Sequence, residues 1–219
     1  MERYQAVLFD LDGTLLDTLD DLTDSVNMIL GKYGLPLRDK EEIRRFLGNG
    51  SERLMKAALP KEISEADFEK YLEEYKAYYK AHMEVKTGPY SGVLELLKDL
   101  RKAGLKIGVV SNKFDLAVKG LCEKYFPGYI DAAAGEREVD GIHRKPAPDM
   151  VFAAAERLGV KIGDCLYVGD SEVDIQTAKN AGMDCVSVCW GFRNEDFLKE
   201  AGAVHLVHTT KELKNFILK

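Results

Sequence analysis

Tyr4-Gln5-Ala6-Val7-Leu8-Phe9-Asp10-Leu11-Asp12-Gly13-Thr14 opens the chain with an apolar, β-favouring run that stops abruptly at a polar turn. The run shows no polar alternation. It predicts a strand over 4–9 buried on both faces, the habit of strands in parallel sheets. The next 70 residues read differently. Leu15, Leu19, Leu22, Val26, Ile29 and Leu30 step by three or four, the spacing of one helical face, and Gly34 and Pro36 close it. Further helices are expected over 39–47, 51–59 and 65–84, and no strand pattern appears between 17 and 87. In the last of them Tyr71, Tyr75, Tyr78 and His82 are read as one face, packed against neighbouring helices.

Thr87-Gly88-Pro89-Tyr90-Ser91-Gly92 is punctuation. After it the pattern alternates. Helices at 92–103, 114–125, 148–158, 172–181 and 210–218 are interleaved with strands at 105–110, near 129–134, at 164–168, at 184–188 and near 203–207. Strands alternating with helices of that length mean a parallel sheet covered on both faces. The expected fold class is therefore α/β. A Rossmann-like parallel core would be formed by 1–15 and 88–219, with a helical domain, 16–87, inserted after the first strand.

Composition limits what such a protein does. Among 219 residues, 46% are hydrophobic and 31% charged, with a net charge of −6. An acidic chain without a basic tract is a poor partner for nucleic acid or an anionic membrane surface. Mean hydropathy is −0.24, and no apolar run approaches the roughly 18 residues of a membrane span. Met1-Glu2-Arg3-Tyr4 runs straight into the first strand and is read as leaving no room for a signal peptide. Cys122, Cys165, Cys185 and Cys189 form no C-x-x-C pair and are given only a packing role. A reduced, cytoplasmic protein is expected, as a monomer or homodimer.

In a parallel α/β sheet, ligands sit beyond the carboxyl ends of the strands. There this sequence places Asp10, Asp12, Gly13 and Thr14; then Ser111, Asn112 and Lys113; then Gly169, Asp170 and Ser171, with Asp174 four residues on. Lys145 precedes Pro146 and the next helix. Taken singly, Asp, Ser and Asn after a strand are caps and turn formers. Together, up to four carboxylates converge on one sheet edge, and like charges that close need protons or a cation between them. Hard oxygens without nearby His or Cys suit Mg²⁺ and a substrate phosphate. Lys145 and the Ser111 hydroxyl supply a cation and a donor for an oxyanion, and Gly13 lets backbone N–H groups approach it. The chemistry points to a magnesium-dependent phosphoryl site taking a small-molecule phosphate ester.

Asp10-Leu-Asp-Gly-Thr-Leu-Leu-Asp-Thr resembles the first motif of the haloacid dehalogenase superfamily. Val109-Val-Ser-Asn-Lys resembles the second, Lys145-Pro-Ala-Pro-Asp the third and Val168-Gly-Asp-Ser-Glu-Val-Asp the fourth, in the family order across nearly the whole chain. Within the helical-cap subfamily, Leu47-Gly-Asn-Gly, Ser111-Asn-Lys and the segment from Gly169 resemble the phosphoglycolate phosphatases. The resemblance implies a nucleophile, Asp10, that forms an aspartyl-phosphate, and an acid–base partner, Asp12. It implies phosphate binding by residues from Gly13, Thr14, Ser111, Asn112 and Lys145. Mg²⁺ would be held by Asp10, the Asp12 backbone carbonyl and Asp170, with Asp174 orienting Lys145 or a metal-bound water.

Rival activities are weighed by residues. A dehalogenase needs neither Asp12 nor Asp170. Family mutases tend to carry Glu-Asp where this chain has Gly169-Asp170. A phosphonate hydrolase would need a Schiff-base lysine in the cap, and Lys56 and Lys61 are read as solvated. A receiver-type phosphoacceptor module lacks so long an insertion after its first strand. Pyrophosphate, nucleotides and sugar phosphates stay open as substrates. In the cap, Gly48, Asn49, Gly50 and Arg53 are candidates to contact an anionic leaving group, with a plain turn and a solvated arginine as the equal alternative. Gly88 and Gly92 are candidate hinge residues. His143 is read as an exposed loop residue, and Trp190 and Phe192 as packing beneath their loop.

Overall fold

The computed structural model describes residues 4–137 and 141–219; the N-terminal residues Met1-Glu2-Arg3, read above for a signal peptide, lie outside them.

 Ala6–Phe9 (β1) is fully buried, as its uninterrupted apolar run requires. It lies in the middle of a six-stranded parallel sheet. On one side it pairs with Lys106–Phe114 (β4), in register Ala6 with Lys106 through Phe9 with Val109. On the other it pairs with Cys165–Gly169 (β6), Ala6 with Cys165 through Phe9 with Val168. Ala132–Glu136 (β5) flanks β4, and Asp184–Val188 (β7) and His205–Val207 (β8) follow β6, giving the order β5-β4-β1-β6-β7-β8. Between them run the helices Val93–Lys102 (α5), Asp115–Tyr125 (α6), Asp149–Leu158 (α7), Glu172–Ala181 (α8), Glu195–Glu200 (α9) and Thr210–Ile217 (α10). Met150, Val151 and Ala154 of α7 share one apolar cluster with Ala6, Leu8, Tyr167 and Ala178.

The chain divides into two compact units, Met1–Leu16 with Pro89–Lys219, and Asp17–Gly88. The second unit is all-helical beyond its ends: Leu19–Lys32 (α1), Lys40–Phe46 (α2), Gly50–Ala58 (α3) and Glu65–His82 (α4). Local chemistry starts these helices. Asp39 and Glu42 form a reciprocal capping box at α2, and Ser64 caps α4 by accepting from the Asp67 N–H. Leu16–Asp17 (β2) and Gly88–Pro89 (β3) form a separate two-stranded sheet.

Several expectations need correction. The first helix begins at Leu19, because Leu16 and Asp17 are extended. The buried face of α4 is Phe68, Tyr71, Tyr75 and Tyr79, so Tyr79 takes the place expected for Tyr78. Tyr78 instead stacks on the exposed ring of His82, centroids 3.9 Å apart. At 100° per residue both steps from Tyr75 fall near one face, and packing selects the longer. β4 continues to Phe114, four residues past its expected end, with a register shift after Val110. The short helix α9, capped by Asn194, was hidden by its six-residue length. Gly92 caps α5 at φ 78°, where a Cβ would collide with the Thr210 hydroxyl. None of the described helices is long and apolar enough to cross a membrane.

Candidate active site

The central position of β1 places Asp10 and Asp12 between the ends of β4 and β6, where the chain connections diverge and ligands bind in such sheets. Asp10, Lys145, Asp170 and Asp174 are among the polar groups buried there. Lys145 Nζ lies 2.9 Å from Asp10 Oδ1 and 2.7 Å from Asp174 Oδ1. One ammonium thus serves two carboxylates, and Asp170 adds a third.

The partners of these groups are unequal. Asp174, in the first turn of α8, is saturated. Its Oδ2 accepts from the N–H groups of Asp170 and Ser171 and from the Ser171 hydroxyl, the last at 2.6 Å. Its Oδ1 accepts from Lys145 and, at 3.3 Å, from the Tyr167 hydroxyl. Asp170 accepts from the Thr14 hydroxyl at 3.1 Å and from the Phe192 N–H at 2.7 Å. Asp10 Oδ1 is buried with no hydrogen bond of acceptable geometry, although the Lys145 charge is close.

The electrostatics follow from that imbalance. Burial pushes the Asp10 carboxyl up to about 7; Lys145 opposes the rise, and Asp174 and Asp12 add to it. Burial also raises Asp170 well above the usual carboxylate range, with Asp174 and Asp10 reinforcing it. For Lys145 burial acts downward, but Asp10 and Asp174 outweigh it and hold the ammonium well above its ordinary value. Asp10, Asp170 and Asp174 each offer an oxygen within 4.8 Å of the others. An unbonded buried carboxylate oxygen in an excess of negative charge fits a hard divalent cation.

Close backbone approach is built in. Gly13 has φ 88°, and a Cβ there would strike the Asp170 carboxylate. A Cβ at Gly191 would strike the Gly13 carbonyl and Asp170, and one at Gly169 would strike Asp174.

Comparison with known proteins follows the same lines. The haloacid dehalogenase-like hydrolase family matches residues 7–188. This chain belongs to the haloacid dehalogenase-like hydrolases. A phosphoglycolate phosphatase of Xanthomonas campestris pv. campestris is 35% identical over 197 residues, which cover 90% of this chain and 88% of the relative. An N-acetylmuramic acid 6-phosphate phosphatase of Pseudomonas aeruginosa is 32% identical over 213 residues, covering 96% and 93%. A solved structure from Lactobacillus delbrueckii subsp. bulgaricus, provisionally named a phosphoglycolate phosphatase, has a TM-score of 0.93 at 40% identity and covers 100% of this chain and 99% of its own. The chain is a phosphoglycolate phosphatase-like hydrolase.

Against that family frame, individual residues differ in what they do. Asn112, expected on the phosphate, commits its amide to the backbone of Lys145. It donates to the Lys145 carbonyl at 3.0 Å and accepts from the Lys145 N–H at 2.8 Å. The adjoining Lys145–Pro146 peptide is cis. The Thr14 hydroxyl, likewise expected on the phosphate, goes to Asp170. Ser111 is buried within β4, just past the register shift, and its Oγ accepts from the Lys113 N–H at 3.2 Å. The Asp12 carboxylate lies outside the three-aspartate group and is held by Lys113 Nζ, 2.9 and 3.0 Å from its two oxygens.

Lys113 and Tyr167 are the site residues that sequence reasoning left without a role. Lys113 was visible beside Ser111-Asn112, but its pairing depends on β4 running on to Phe114. Tyr167 reads as a core aromatic within β6, and only the fold shows its hydroxyl meeting Lys145 at 3.2 Å. Trp190 does more than pack: its indole N–H donates to the Thr14 carbonyl at 3.0 Å. His143 is exposed and pairs with Asp149 at 2.9 Å. In the helical unit Gly48 and Gly50 have φ 107° and 82°, Asn49 precedes α3, and the exposed Arg53 donates to Asn49 Oδ1 at 3.0 Å.

Proposed function

We propose that this chain is a cytoplasmic, Mg²⁺-dependent phosphatase of small anionic phosphomonoesters, of which phosphoglycolate is the leading candidate, and that it works through an aspartyl-phosphate on Asp10. The observation that carries the reading is the Asp10 carboxylate: buried at the sheet edge, paired with the Lys145 ammonium at 2.9 Å and beside two further buried carboxylates, Asp170 and Asp174. A purely structural carboxylate is typically capped by backbone N–H donors; this one faces charges instead.

In the first half-reaction the Asp10 carboxylate attacks phosphorus. The bond to the ester oxygen breaks, and Asp12 delivers a proton to that oxygen so that an alcohol leaves. In the second, water attacks phosphorus of the aspartyl-phosphate while Asp12 takes up its proton, which releases phosphate and restores Asp10. Lys145 neutralises charge on the transferring group, fixed there by Asp174 through its ammonium and by Asn112 through its backbone. Lys113 is a positioning residue, gripping both oxygens of Asp12. Asp10, Asp170 and the Asp12 backbone carbonyl would hold Mg²⁺, which when bound supplies further neutralisation of the phosphoryl oxygens.

The two curated relatives described above act on different phosphomonoesters, but both substrates are carboxylic acids by name. A substrate bearing both a carboxylate and a phosphate is therefore the first choice, and Arg53 with the Gly48-Asn49-Gly50 turn is the candidate to meet the carboxylate.

The test is an acid-quenched single turnover with phosphate-labelled 2-phosphoglycolate and Mg²⁺. Label should appear on the protein, in the peptide carrying Asp10, and vanish in Asp10→Asn. Turnover should stop with EDTA, return with Mg²⁺ and return poorly with Ca²⁺, whose larger and looser shell misplaces the reacting groups. Full activity in EDTA, or turnover at the native rate in Asp10→Asn, would overturn the reading.

A further inference from the structure

A second set of metal-ligating side chains lies in the core unit, beyond the ends of β7 and β8. Cys189 follows β7, Glu195 opens α9 and His208 follows β8. The Cys189 thiol, a Glu195 oxygen and a His208 ring nitrogen all lie within 4.8 Å of one another. The catalytic reading uses none of these residues.

The donor set differs in kind from the aspartate cluster. One thiol, one imidazole and one carboxylate are the mixture that zinc accepts and magnesium does not. Tetrahedral zinc with bonds of about 2.0–2.3 Å separates its ligands by roughly 3.3–3.8 Å, so side-chain adjustments of about 1 Å bring these atoms, all within 4.8 Å of one another, to that spacing. The fold already organises it. The Cys189 N–H donates to the Val207 carbonyl at 2.9 Å, tying the two strand ends together. The His208 N–H donates to Glu212 Oε2 at 2.8 Å, fixing the histidine to the first turn of α10.

The two ring nitrogens of His208 face different carboxylates. Nε2 is 2.8 Å from Glu195 Oε2, and Nδ1 is 3.6 Å from Glu212 Oε2. This is the arrangement in which one carboxylate orients a ligating imidazole from behind while the other nitrogen faces the ion. Lys199 is the one competing cation at Glu195 that the described contacts show, at 2.6 Å from its other oxygen, and half of its side chain is exposed. It can swing into solvent when a divalent ion arrives.

We propose that Cys189, Glu195 and His208 form a binding site for a thiophilic divalent cation of the zinc class, with Glu212 as the positioning residue behind His208 and water completing the coordination. On binding, the thiol gives up its proton to solvent, and the ion takes the place of the hydrogen now shared between His208 and Glu195.

Co²⁺ is the probe, added to the full-length protein in excess Mg²⁺ so that the aspartate cluster is occupied by a hard ion. A thiolate-to-Co²⁺ charge-transfer band should grow to saturation at one equivalent, and equimolar Zn²⁺ should displace it. Cys189→Ser should abolish the band. His208→Ala should weaken Co²⁺ binding by at least about 10-fold, and Glu212→Gln by about 10-fold, the lower end for an outer-shell partner. Asp170→Asn should leave the band unchanged. In the native protein Zn²⁺ should also slow alkylation of Cys189, read by peptide mass, which tests the site without any substitution. Absence of the band at saturating Co²⁺, a band that survives in Cys189→Ser, or alkylation indifferent to Zn²⁺ would overturn the proposal.

Discussion

Two buried aspartates, one in each unit, have opposite surroundings. Asp21, in α1 of the helical unit, is 3% exposed, and Asp10 is 7% exposed. Both oxygens of Asp21 accept from the Lys86 N–H at 3.0 Å, and Oδ2 accepts also from the Thr87 N–H at 2.9 Å. Asp10 Oδ1 faces the Lys145 ammonium at 2.9 Å, and the described contacts give it no backbone N–H. The first is a structural carboxylate whose acceptor capacity is spent on the backbone. The second is paired with an ammonium and leaves acceptor capacity that the backbone does not fill. Burial alone does not separate structure from chemistry; unmet bonding capacity does.

The sharpest way to test that contrast is by paired substitution. Asp10→Asn should lower kcat by at least about 10⁴-fold, equivalent to about 5.5 kcal/mol of barrier, with the circular dichroism spectrum unchanged. Steady-state rates on a phosphoester decide it, and a loss under tenfold would dissolve the distinction. In the helical unit the largest cost should come from packing. Tyr79→Ala should destabilise by about 3 kcal/mol or more, and Tyr78→Ala by under about 1 kcal/mol, in urea titrations. Equal costs would return Tyr78 to the buried face.

Asp21→Ala strips the buried Thr87 N–H and the part-buried Lys86 N–H of their acceptor and should cost about 1–3 kcal/mol of stability. Its kcat, measured on protein kept folded at low temperature, should stay within a few-fold of native, in contrast to Asp10.

Asp10 also predicts a stability difference with a definite sign. Its carboxyl stands near 7 in the folded chain, against an ordinary value of 3.8. Below pH 4 both states hold the proton and the residue is neutral in its effect. As pH rises from about 4 to 7 the unfolded chain releases the proton first, so the metal-free fold loses stability. Asp10→Asn removes that loss. In EDTA it should melt higher than native protein above pH 7, by about 1–3 kcal/mol in free energy, and show no advantage at pH 4. A constant difference across that range would show that Asp10 is not held away from its charge. The smallest effect belongs to Arg53. Arg53→Ala should raise KM for 2-phosphoglycolate several-fold, up to about 1 kcal/mol, and leave a neutral artificial phosphoester unaffected. Equal effects on both substrates would make Arg53 a surface residue.

What could be read in advance was local. Asp10-Leu-Asp-Gly-Thr, Ser111-Asn112, Lys145-Pro146 and Gly169-Asp170 sit where strands stop and turns begin, and turn chemistry is written in neighbouring residues. The parallel core was legible for the same reason, since each strand is a short apolar run between helical periods. What stayed hidden depends on distant partners. Thr14 reaches Asp170 across 156 positions, and Lys113 reaches Asp12 across 101. Asn112 turned to Lys145 because β4 and the loop carrying Lys145 lie side by side only in the folded sheet. Cys189 was given only a packing role because its companions, Glu195 and His208, come from two later elements.

The join between insertion and core carries one more consequence. Within the core, the Tyr90 N–H donates to the Leu15 carbonyl at 3.1 Å, so the chain leaves the sheet and returns to it at a single doorway. The entropy of closing a flexible loop grows only with the logarithm of its length, about 0.6 kcal/mol for each doubling. With its two ends pinned together, the core is almost indifferent to how much chain is threaded between them. Residues 17–88 are therefore free to lengthen, shrink or be exchanged over evolutionary time while the strand order and the aspartates at its edge stay as they are. One sheet of this kind can serve a succession of substrates by changing what hangs from that doorway.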